Sequence, residues 1–130
     1  MTSLSDWAAL IGSLSVAGLA LFEILLALGL PLGGAAFGGA NAVLSAKLRV
    51  ASGLSALLFV AALYVVPARG GLFGRVGSSW PVHTASWAFA ALFALSALAN
   101  VASRSRWERL LMAPVAFVLT ICCVVLSLVS

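Results

Sequence analysis

The sequence predicts an all-α, polytopic membrane protein folded as a four-transmembrane-helix bundle, and three observations carry that prediction. The first is polarity: 64% of the 130 residues are hydrophobic and 8% are charged, with a mean hydropathy of +1.22. That leaves too little polar surface to cover a water-soluble globule of this size. The second is segment length. A helix needs about 20 predominantly apolar residues to cross roughly 30 Å of hydrocarbon, and residues 7–29, 48–66, 82–103 and 110–128 are four such segments. The third is pattern: the segments are continuous apolar runs rich in Ala and Leu, whereas a membrane barrel alternates apolar and polar residues in short stretches. The spans use nearly the whole chain, so residues 1–130 are expected to form one transmembrane domain with no separate soluble part.

The first span follows MTSLSD, which has no basic residue, and its apolar run is longer than a secretory h-region. It therefore reads as a retained helix and not as a cleaved signal. Ala8, Gly12, Ala20, Glu23 and Ala27 share roughly one face, and small residues at three- and four-residue spacing let membrane helices approach closely. Glu23 is accordingly expected to face the bundle or a subunit interface, about one turn (roughly 7 Å) to the inner side of the midplane. An ionisable group at that depth is costly and marks a functional site by default. Glu23 is the candidate proton- or cation-handling residue.

Residues 30–46 carry no charge and contain Pro31, Gly33, Gly34, Gly38 and Gly39, which are expected to end the first span. The stretch is too apolar for a solvated loop and too Gly-rich for another span. Two readings stay open. It is a hydrophobic turn lying on the headgroups, or a re-entrant hairpin whose backbone N–H groups form part of an anion- or ligand-binding surface.

The second span opens with Lys47 and Arg49 and shows Ser52, Ser55, Ala56 and Ala62 as packing positions. Bent inward, the long Arg49 side chain would bring its guanidinium toward Glu23, as a structural ion pair or as part of an ion-binding group. From Pro67 to Ser79 the chain reads as a flexible loop with Arg69, Arg75 and four Gly.

The third span begins after Trp80 and Pro81. His83, the sole histidine, has no acid or thiol close in sequence, so it reads as an interface residue and not as a metal ligand. Ser86, Ala90, Ala97 and Asn100 lie near one face, with Phe89 and Phe93 beside them. Asn100, at a depth comparable with Glu23, is expected to bond to a neighbouring helix or to contact a ligand.

The turn into the last span is the densest polar segment. Ser105 and Glu108 have the spacing of a capping box, and Arg104, Arg106 and Arg109 suit anionic lipid headgroups at about 1 kcal/mol per basic residue. Pro114 is expected to kink the helix that follows. Cys122 and Cys123 are neighbours that project about 100° apart, so they neither bridge nor share a metal and read as small apolar residues.

Orientation follows from the basic residues. Lys47, Arg49, Arg104, Arg106 and Arg109 fall on one side of the membrane and Arg69 and Arg75 on the other. The positive-inside bias makes loops 30–47 and 104–109 cytoplasmic and both termini extracytoplasmic. Trp7 and Trp80 then mark the outer interface and Trp107 the inner one. The net charge of +4 comes from residues flanking spans, a topology signal and not a nucleic-acid footprint. The chain has no Ser/His/Asp set, no thiol beside a histidine, no P-loop and no carboxylate pair with a matching base. No enzymatic activity, cofactor or metal is expected.

The stretches FEILLALGLPLGGAAFGG, LRVASGLSALLF and ALANVASRSRWERLLMAPVAFVL resemble a group of uncharacterised small four-span membrane proteins of high-GC bacteria. The likeness extends over most of the chain and implies the architecture and a bacterial plasma-membrane location, without an activity. A looser likeness is to small multidrug transporters, four-span dimers with one essential Glu in the first helix. Glu23 matches that position within a different local motif. The expectation is a small transporter or channel, homo-oligomeric because four helices are few to enclose a pathway. Glu23 is its ion-handling group, with Arg49 and Asn100 around it. An accessory subunit packing on a larger membrane complex is the alternative.

Overall fold

The computed structural model describes residues 3–35, 37–39, 43–103 and 105–129. Four helices dominate it: α1 (Leu4–Ala27), α2 (Ala46–Arg69), α3 (Trp80–Val101) and α4 (Ala113–Val129), the last preceded by a π-helical turn at Glu108–Met112. No strand occurs among the described residues. Each helix, with the π turn counted into the fourth, is long and apolar enough to cross a membrane, which makes this a multi-pass membrane protein. The helices alternate in direction. α1 packs along α2 and α3 along α4, α1 also meets α4, and α2 touches α3 more sparingly.

Local chemistry sets the ends of the spans. Ser3 Oγ accepts from Asp6 N–H at 3.1 Å and caps α1, with Asp6 in the first turn complementing the helix dipole. The helix stops earlier than Pro31. Gly29 at φ 91 closes it in a Schellman turn, its N–H bonded to Leu26 O and the Leu30 N–H to Leu25 O. α2 extends beyond the expected boundary: Pro67 lies inside it, and Gly71 at φ 90 ends it with the same pair of bonds, to Ala68 O and Pro67 O. Proline is tolerated so near the C-terminus because little helix remains to be disturbed. The π turn before Pro114 has a related cause. A regular helix would press the ring against the carbonyl four residues back, and a widened turn relieves that contact.

Small residues decide how closely the helices meet. Ala8, Gly12 and Ala20 of α1 are buried, as are Ser52, Ala56 and Ala62 of α2 and Ser86, Ala90 and Ala97 of α3. A Cβ on Gly12 would lie 3.0 Å from Val66 Cγ1 and 3.3 Å from Cys122 Cβ, so α1 sits tightly against both α2 and α4 there. The main core joins Val16, Val66, Phe89, Phe93, Leu119 and Leu126, with Cys122 and Cys123 buried among them. These residues run from the middle of the bundle toward the end that carries the α2–α3 loop, where a cleft lined by Asp6, Ser13, Pro67 and Leu72 remains between α1 and α2. At the other end a smaller cluster of Leu26 and Leu44, flanked by Phe22 and Leu48, holds the chain entering α2 against the end of α1.

Arg69, expected in a flexible loop, is instead 3% exposed. Its Nη1 donates to Gly77 O at 2.8 Å and its Nη2 to Ser127 O at 3.5 Å, so the guanidinium satisfies carbonyls of the α2–α3 loop and of the end of α4. Beneath it the hydroxyls of Ser86 and Ser127 bond to each other across α3 and α4. His83 accepts from Trp87 Nε1 at 3.1 Å, a contact one turn along its own helix.

Candidate functional site

The basic end of the bundle is open inside. A cavity of about 220 Å³ lies between all four helices, and its polar wall consists of Glu23 from α1, Ser55 from α2, Ser96 and Asn100 from α3, and Glu108 from the π turn. Phe59 and Phe93, stacked 6.2 Å apart, form part of its apolar side. The chain has three acidic residues, and two of them face this one space.

Glu23 continues the buried small-residue face of α1 and points into the cavity. Because α1 spans Leu4–Ala27, the helix midpoint shifts toward the N-terminus, and Glu23 stands about 11 Å from it, not 7 Å. The side chain is half-buried, and among the described residues its Oε2 has no hydrogen-bond partner. Ser52, fully buried on α2, sets its hydroxyl beside the carboxyl without reaching hydrogen-bonding geometry. An oxygen so placed, on a membrane-spanning helix and without a donor among the described residues, is a strong acceptor for whatever enters the cavity.

The expected partners of Glu23 are placed differently. Arg49 bends back to the end of α1, where its Nε donates to Ala27 O at 2.9 Å. The guanidinium carbon would lie 3.2 Å from a Cβ on Gly29. A helix C-terminus presents unpaired carbonyls and partial negative charge, and a cation caps it without having to enter the cavity. Arg49 is therefore a cap of α1. Asn100 does line the cavity, but its amide donates to Ser96 Oγ at 3.3 Å, one turn back on its own helix and not on a neighbour.

Glu108 is the cavity residue that the capping-box pattern hid. Its N–H bonds to Ser105 Oγ at 3.3 Å, the forward half of the box. The return half is relayed: Ser105 N–H donates to Ser103 Oγ at 3.0 Å, and Ser103 Oγ donates to Glu108 Oε1. The same Oε1 accepts from Gly38 N–H at 2.8 Å. Thus the glycine-rich segment, described as two 3-10 turns at Gly33–Ala35 and Phe37–Gly39, does offer a backbone N–H to an anion, and that anion is a side chain of this protein. The available sequence signal was topological: two of the chain's acids fall at the same end of the spans.

Lys47, Arg106 and Arg109 are exposed at this end, Arg109 also donating to Ser103 O at 3.2 Å, and Arg104 lies outside the described residues. No group of three or more His, Cys, Asp or Glu residues able to hold a metal occurs among the described residues. No family model, curated protein or solved structure matches the chain.

Proposed function

We propose that this protein is a small membrane transporter or channel for protons or small cations, with Glu23 as the group that takes up the ion. One observation supports this above the rest: Glu23 lines a cavity between the four helices, and among the described residues its Oε2 has no hydrogen-bond partner. Ser55, Ser96 and Asn100 supply neutral oxygens around that carboxylate, a lining that can exchange for part of a cation's hydration. The core at mid-bundle, with Val16 and Leu119 fully buried, separates this cavity from the opposite end of one chain. Conduction therefore calls for a rearranging bundle or for assembly with a second copy, and a homo-oligomer in a bacterial plasma membrane is the form we favour.

Glu23→Gln tests this directly. Reconstituted in proteoliposomes, the variant should lose at least about tenfold of the proton or cation flux while keeping its elution volume and helix content. The accessory-subunit reading has its own support in the sparing contact between α2 and α3, which leaves an apolar groove beside Phe59, Phe89 and Phe93. Undiminished flux in Glu23→Gln, together with weaker co-purification of a membrane partner, would favour that reading.

A further inference from the structure

We propose that the glycine-rich hairpin is a strap at the polar end of the cavity, fastened by Glu108, and that it loosens when Glu108 loses its charge. The inference rests on the cavity being the working site. Two hydrogen bonds tie the hairpin to the turn between α3 and α4: Gly38 N–H to Glu108 Oε1 at 2.8 Å, and Ser105 Oγ to Gly34 O. The fit is close, since a Cβ on Gly39 would lie 2.8 Å from Gly34 O and 3.0 Å from Ser105 Cβ. Gly38 and Gly39 both have positive φ, at 79 and 77, a conformation in which glycine alone moves freely. Leu44, at the start of the approach to α2, packs against Leu26.

Glu108 belongs at once to the cavity wall and to this fastening. A proton or cation arriving in the cavity competes with Gly38 N–H for the same carboxylate. A hydrogen bond to a charged acceptor is roughly twice as strong as one to a neutral acceptor, so neutralising Glu108 weakens the tie without removing it. The other charged or titratable groups that face it are few. α1 contributes Glu23 across the cavity, α2 and α3 contribute only neutral side chains to its wall, and the turn itself contributes Arg109, bonded to Ser103 O. Residues 33–39 bring no charge.

Hydrogen–deuterium exchange in lipid nanodiscs tests the strap without measuring transport. Glu108→Gln keeps the shape and one acceptor oxygen. It should speed exchange of the amides at 33–35 and 37–39 about tenfold, with protection of α1 to α4 unchanged. Ser105→Ala cuts the second tie and leaves the carboxylate alone; it should loosen the same amides, and it keeps the test decisive if Glu108→Gln misfolds. Hairpin exchange that stays at the wild-type rate in a folded Glu108→Gln, or in Ser105→Ala, would overturn the strap. Full flux in Glu23→Gln would instead overturn the transport reading, and the two failures are separate measurements.

Discussion

Arg69 shows how much a single side chain can hold together in this bundle. Its guanidinium reaches Gly77 O and Ser127 O and so joins the end of α2, the loop before α3 and the last turn of α4. Replacing it by Leu leaves those carbonyls buried without that donor. The expected loss is about 2–4 kcal/mol of stability, with Arg69→Lys recovering part of it, measured by unfolding in mixed detergent micelles. Glu23 is the opposite case. Its Oε2 has no partner to lose among the described residues, so Glu23→Gln should leave stability within about 1 kcal/mol of wild type in the same assay and act on flux alone. A large stability change in that variant would mean that the carboxylate is structural. Little of this was readable in advance. Arg69 stands beside Gly70 and Gly71 in a run that looks like a loop, and burial of its guanidinium depends on α4, which comes far later in the chain.

Among the elements, the pair α1 and α2 is governed by close approach. Gly12 sits where α1 meets Val66 and Cys122, at distances where an added Cβ forces those side chains to give by a few tenths of an ångström and a larger side chain has no room. Gly12→Leu should therefore lower stability by about 1–3 kcal/mol, whereas Gly18→Leu, with nothing within 4 Å of its Cβ position, should be nearly neutral. Equal effects from the two would contradict the packing. The ends of the helices were less legible than their middles. Gly29 and Gly71 end α1 and α2 through their positive φ, and the more conspicuous Pro31 and Pro67 do not. Composition marks a breaker within a few residues, but which glycine takes the left-handed turn depends on where the preceding carbonyls find donors.

Across the whole molecule the asymmetry is between an end with a mostly apolar cleft beside Asp6 and an end with the cavity that holds Glu23 and Glu108. The exposed Lys47, Arg106 and Arg109 lie at the latter, and the positive-inside bias would put that end in the cytoplasm. Single cysteines test the orientation. Val43→Cys should be labelled by an impermeant thiol reagent only after the cytoplasmic side is opened, and Leu72→Cys from outside in intact cells. Cys122 and Cys123 are buried and should contribute little background. Reversed labelling would invert the topology and with it the side from which the cavity fills.

The sequence by itself determined the class of molecule, the number of spans, their small-residue faces and the singular position of Glu23. These depend on hydropathy and helical period, both of which are local properties of a chain crossing lipid. Only the tertiary structure decided that Arg49 caps α1 and leaves Glu23 alone, that Asn100 turns to its own helix, and that Glu108 joins Glu23 at one cavity while holding the glycine hairpin. Each of those outcomes is a choice among partners distant in the chain, and such choices are made by how closely the helices can approach, which no single segment encodes.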